Sequence, residues 1–114
     1  MTKVLLSDFL IEAKKLIEDP AKWTTGWFAK DIEGKHVSSV SVQAVCFCSL
    51  GAIECASGVE LEDVPSNSFY EYASEALAEA MAEDVDDFND SHTHAEVMEK
   101  WDEAIKLSIE KESK

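Results

Sequence analysis

A chain of 114 residues, 46% hydrophobic and 30% charged, has room for one domain with its own core and is too apolar for general disorder. Its formal net charge of −14 argues against DNA and anionic membranes as direct ligands, and favours basic proteins or cations. No apolar run approaches the ~20 residues that cross a bilayer, and Met1–Leu6 runs into Ser7-Asp8 before a signal-peptide core can form. The expectation is therefore a cytoplasmic protein with no membrane association.

The charge is unevenly placed. All ten basic residues are lysines, at Lys3, Lys14, Lys15, Lys22, Lys30, Lys35, Lys100, Lys106, Lys111 and Lys114. None falls between His36 and Glu99, an acidic half that holds fourteen carboxylates. The other ten acids balance the ten lysines, so the whole excess lies in this interval. Cys46, Cys48 and Cys55 are odd in number and clustered in an apolar segment, which suits core packing better than a disulfide framework.

In chain order, Leu6, Phe9, Leu10, Ala13, Leu16 and Ile17 repeat at helical spacing and predict an amphipathic helix over 3–18, stopped by Asp19-Pro20. The aromatic and threonine-rich residues 21–30, the turn-like Asp31-Ile32-Glu33-Gly34 and residues 35–40 predict a small β-hairpin. Residues 41–57 are apolar nearly all round and predict a buried central helix. Gly51 costs that helix ~1 kcal/mol relative to alanine, which implies close approach of another backbone. Residues 59–67 predict an acidic connection. Ser68 and Glu71 stand in capping-box spacing before a helix whose apolar stripe runs from Phe69 to Met81. Asp84 to His92 reads as a loop or frayed helical turn. Thr93 and Glu96 form a second capping box, opening a last helix that frays over 110–114. The fold class is mainly α (α+β): a single domain over 1–114, with about four helices and a small hairpin between the first and second.

The candidate partner-binding residues are Glu71, Glu75, Glu79 and Glu83, with Asp84, Asp86 and Asp87. Spacing of four puts the glutamates on one helix face, ~6 Å apart over ~18 Å of axis. Like charges so spaced cost roughly 1 kcal/mol over three pairs, and either a solvated face or a basic partner accounts for them. Whether the aspartates extend the row is open. Asp84, Asp86, Asp87, Asp90, His92 and His94 could also hold a divalent cation, but the calcium-loop pattern fails at Phe88 and Ala95, and the histidines lack a third zinc ligand. Capping by Thr93 and Asp90 is the simpler role for that segment. No metal or cofactor is assigned. Cys46 or Cys48 with His36 or His94 makes a poor nucleophile–base pair in apolar surroundings. No phosphate loop or nucleophile elbow is present, so no catalytic residue is assigned. Trp23, Trp27, Phe28 and Tyr70 suit packing or a binding hot spot.

The linear pattern Pro20-x-x-Trp23-Thr24-x-Gly26, Cys48-x-x-Gly51-Ala52, and Phe88-Asn89-Asp90 with Thr93-x-x-Glu96-Val97 resembles an uncharacterised family of bacteria and their phages. The resemblance covers roughly Leu5 to Ile105. It implies no catalytic residues. It implies that Trp23, Gly26, Gly51, Asn89 and Asp90 are structural landmarks, with Asn89-Asp90 preparing the last helix. Small acidic phage proteins that block host nucleases or nucleic-acid-binding proteins, the anti-CRISPR proteins among them, are similar in size and charge.

The expected function is non-enzymatic: a nucleic-acid-mimic inhibitor that docks its acidic helix on a basic, nucleic-acid-binding surface of a host protein. The alternatives are a structural or regulatory module, homodimeric through the apolar segment from Cys48 to Ile53 and the tryptophans, and a divalent-cation-binding module.

Overall fold

The computed structural model describes residues 5–57 and 69–112. It is mostly helical, with five α-helices among those residues: α1 (Leu6–Lys15), α2 (Ser49–Ser57), α3 (Phe69–Met81), α4 (Val85–Ser91) and α5 (His94–Glu112). A 3-10 turn at Pro20–Lys22 and two short strands, β1 (Ala29–Lys30) and β2 (Cys46–Phe47), lie between α1 and α2.

The helices cohere because each offers a narrow stripe of small or branched apolar residues. Helix α5 packs along α1 and α3, and α2 lies against both of those. Leu10, Ala13, Ile17, Ala52, Ile53, Ala73, Leu77, Val97, Trp101 and Ala104 are fully buried between them. The alanines let helix axes approach closely, while Leu10, Leu77 and Trp101 fill the remaining volume.

The helix-spaced stripes at both ends of the chain form helices as expected. Helix α1 stops at Lys15, short of Pro20, and the Asp19 side chain caps the 3-10 turn by accepting from Ala21 N. The capping box at the head of α5 is formed. Glu96 Oε1 accepts from Thr93 N at 2.9 Å, and Thr93 Oγ1 accepts from Glu96 N at 3.2 Å. The first of these bonds, then a hydroxyl contact, holds the Glu96 carboxyl below its usual range. The other box, at Ser68, lies outside the described residues.

Three expectations are corrected. First, residues 41–48 are not helical, and α2 begins only at Ser49. The Ser38 and Ser41 hydroxyls accept from the amides of Val40 and Gln43, local bonds that compete with a helix. Cys46 and Phe47 instead pair antiparallel with Lys30 and Ala29.

Second, the partner of the first strand differs. The turn at Asp31–Gly34 is present, Asp31 Oδ1 accepting from the amides of Glu33 and Lys35, and the chain returns through a single bridge from Lys30 to His36. The ladder itself joins β1 to β2, and Phe47 also bridges to Trp23.

Third, Val85–Ser91 is a formed helix of 7 residues, where a loop or only a frayed helical turn was expected. Its signals were in the sequence: Asp86 and Asp87 in the first turn, complementing the helix dipole, and Val85, Phe88 and Asn89 on one inward face.

Gly51 meets the expected neighbour. A Cβ on it would overlap the Phe28 carbonyl oxygen and lie 2.7 Å from the carbonyl carbon. That carbonyl accepts from Cys48 N at 3.1 Å, so the backbone just ahead of β1 rests directly on the first turn of α2. Gly51→Ala should lower stability by about 3 kcal/mol in urea unfolding, because overlap outweighs alanine's better helix propensity. Unchanged stability would mean that the Phe28 backbone shifts freely.

Candidate functional site

Helix α3 carries Glu71, Glu75 and Glu79 on its exposed side, opposite the buried Ala73, Leu77 and Ala80. The row is shorter than four. The helix ends at Met81, and Ala82 takes a left-handed φ of 60°. Glu83 therefore leaves the helix line, and three carboxylates span ~12 Å of axis. Glu83 is itself exposed.

The aspartates lie close to this row. Glu75, Asp84 and Asp86 line one groove of about 350 Å³, with Leu50, Ala78 and Val85 as its apolar part. Carboxylate oxygens of Asp84, Asp86 and Asp87 also lie within 4.8 Å of one another, all three residues being exposed. Their mutual repulsion is offset by water and by the N-terminal dipole of α4. Three exposed carboxylates by themselves supply fewer oxygens than the shell calcium takes, so the cluster alone is a weak site.

On the other side of Glu75 a second groove, of about 310 Å³, runs between α1, α3 and α5. Glu75, Glu79 and Glu112 face it, together with Leu6, Tyr72, Ala76, Ser108 and Lys111. Glu75 is thus the ridge residue common to both grooves, which joins the glutamate row to the aspartates.

Glu112 and Lys111 were not among the expected site residues, since residues 110–114 were expected to fray. Helix α5 continues to Glu112 because its carboxylate accepts from Ser7 N at 3.0 Å and Ser7 Oγ at 2.5 Å. One of the orphan amides at the start of α1 is satisfied in this way. No local signal announces a bond that spans 105 positions. Lys111 Nζ lies 3.5 Å from a Glu79 carboxylate oxygen.

The motif residues form a second, buried assembly. Asn89 is fully buried, and its Oδ1 accepts from Trp23 Nε1 at 2.8 Å, Ser49 N at 3.0 Å and Ser49 Oγ at 2.8 Å. Its amide group donates to the Thr24 carbonyl at 3.0 Å. Trp101 Nε1 donates to Ser49 Oγ at 3.0 Å, and Asp90 Oδ1 accepts from Gly26 N at 3.0 Å. Asn89 thereby caps α2 from a distance, and Asn89-Asp90 fasten the Trp23–Gly26 segment onto α4. This corrects two expectations, that Asn89-Asp90 prepare the last helix and that Asp90 serves as a helix cap.

The cysteines and histidines named above engage other groups, Cys46 Sγ donating to the Lys30 carbonyl at 3.9 Å. Cys48 is buried, its sulfur accepts from Gly51 N, and burial pushes its thiol up to about 11, so it remains protonated near neutrality. Burial likewise raises Cys55. His94 Nε2 donates to the Ile17 carbonyl at 2.7 Å and meets Trp23 edge-on. His36 stacks on Trp27, and His92 on Phe88.

The apolar segment offered for self-association is interior: Cys48 is 3% exposed and Ile53 0%. Of the tryptophans, Trp101 is buried, Trp23 is half-buried within the Asn89 network, and Trp27 is exposed. Among the described residues no helix is long and apolar enough to cross a membrane.

No curated protein and no solved structure matches the chain. A family of unknown function, DUF6197, matches by its sequence model over residues 1–107, and the protein belongs to that family.

Proposed function

We propose that the protein is a non-enzymatic binding protein that lays its α3–α4 acidic surface on a basic, nucleic-acid-binding surface of another protein and blocks it. The observation that carries this reading is the position of Glu75 between two grooves with apolar floors. Glu79 stands on one side of it and Asp84 and Asp86 on the other. The α3 and α4 carboxylates of the surface belong to an interval without a single lysine or arginine, and among the described residues Lys111 of α5 is the one cation lining either groove. A purely solubilising charge needs no such continuity, since scattered carboxylates serve that purpose equally well. Continuous negative charge over apolar floors suits the lysine and arginine side chains of a nucleic-acid-binding groove, whose methylene stems need apolar cover.

The linear motifs' resemblance to a bacterial and phage pattern, read from the sequence, and a size and charge like those of anti-CRISPR proteins support a host-directed inhibitor as the specific form of this proposal. The test is a pull-down from host lysate with tagged protein, eluted by a salt gradient. A basic nucleic-acid-binding protein released at moderate salt and displaced by added DNA or RNA is the expected result. Recovery only of salt-resistant partners would overturn the reading.

A further inference from the structure

The groove between α1, α3 and α5 already shows a cation in place. Lys111 of α5 reaches across to α3, its ammonium 3.5 Å from Glu79. Leu6, Tyr72 and Ala76 supply apolar lining beside it. Glu112, at the far end of α5, is held by the Ser7 amide and hydroxyl and so is a fixed charge. We infer that this groove takes a lysine or arginine side chain of the basic partner, and that Lys111 occupies this place in the free protein and is displaced on binding.

The chemistry favours a long cationic side chain. A methylene stem covers apolar wall while its charged head meets carboxylates. Displacement is cheap, because Lys111 and Glu79 are 68% and 64% exposed and a pair so exposed is weak. Lys111 therefore tempers affinity for stray cations without preventing docking of a partner that contributes several contacts. This inference rests on the acidic-surface reading proposed above and adds to it a subsite and an internal competitor.

The test measures binding of a fluorescein-labelled decalysine peptide to the full chain by anisotropy. Lys111→Ala is compared with Lys106→Ala, which removes the same charge from an exposed position on the same helix outside the groove. The expected result is that K111A tightens binding about two- to five-fold more than K106A, the range an exposed ion pair supports. In a Glu79→Gln background that advantage should vanish. Equal gains from K111A and K106A would overturn the inference and leave the acidic-surface reading standing. Failure of the unsubstituted protein and both variants to bind decalysine would overturn the two together.

Discussion

Asn89→Ala should destabilise the protein by about 4 kcal/mol, a large part of the ~5–15 kcal/mol that holds a domain of this kind together. The substitution removes one acceptor that serves three donors and one donor that serves a carbonyl. Ser49 is fully buried and Trp23 half-buried, so bulk water does not readily replace the lost partner. The loss reaches further than one site. Ser49 N begins α2, Ser49 Oγ also accepts from Trp101 Nε1, and Thr24 lies in the segment fastened to α4. Urea unfolding should show the fall in midpoint, and the melting temperature should drop by roughly 15 °C. Trp23→Phe is the calibrating variant. It deletes a single donor and leaves Asn89 with its two bonds from Ser49, so about 1 kcal/mol is expected. Should Asn89→Ala cost no more than Trp23→Phe, the network would be a set of independent contacts.

The double charge reversal Glu75→Lys/Glu79→Lys should weaken binding to the basic partner by at least about 100-fold at low salt, with melting temperature nearly unchanged. Both side chains are exposed, and neither contributes to the core between the helices. Lysine at 75 stands four positions from Glu71 and turns a repulsive pair into an attractive one. Lysine at 79 faces Lys111, a small cost at an exposed position. The binding loss has two parts: the groove lined by Glu79 turns net positive, and the one lined by Asp84 and Asp86 loses most of its negative charge as the ridge between them becomes cationic. Raising salt should weaken the unsubstituted protein steeply and the variant little. Calorimetric titration at two salt concentrations separates these outcomes. Retained affinity in the folded variant would reduce the acidic surface to a solubility device.

Features that depend on neighbours three or four positions apart were legible in the chain. The apolar stripes of α1, α3 and α5 fix which faces turn inward, because a helix brings those positions together wherever it lies. The Thr93–Glu96 box was equally readable, being a bond set closed within four residues. Gly51 was legible as an anomaly: its helix cost had no local reason, and the reason is the Phe28 backbone. Helix α4 was readable in principle from its first-turn aspartates and inward Val85 and Phe88, but the density of acids suggested a loop or frayed helical turn.

What only the tertiary structure decided depends on partners distant in the chain. The start of α2 at Ser49 rather than at residue 41 follows from Asn89, forty positions away, together with strand pairing to Lys30 and Ala29. The ordered end of α5 follows from Ser7. The surface itself divides the same way. Composition and the absence of lysine between His36 and Glu99 determined that an acidic face exists. The left-handed turn at Ala82 decided that Glu83 leaves the row, and the packing of α2, α3 and α4 decided that Asp84 and Asp86 share a groove with Glu75. Charge and periodicity are properties of the chain, whereas a groove exists only where elements far apart in sequence have packed together.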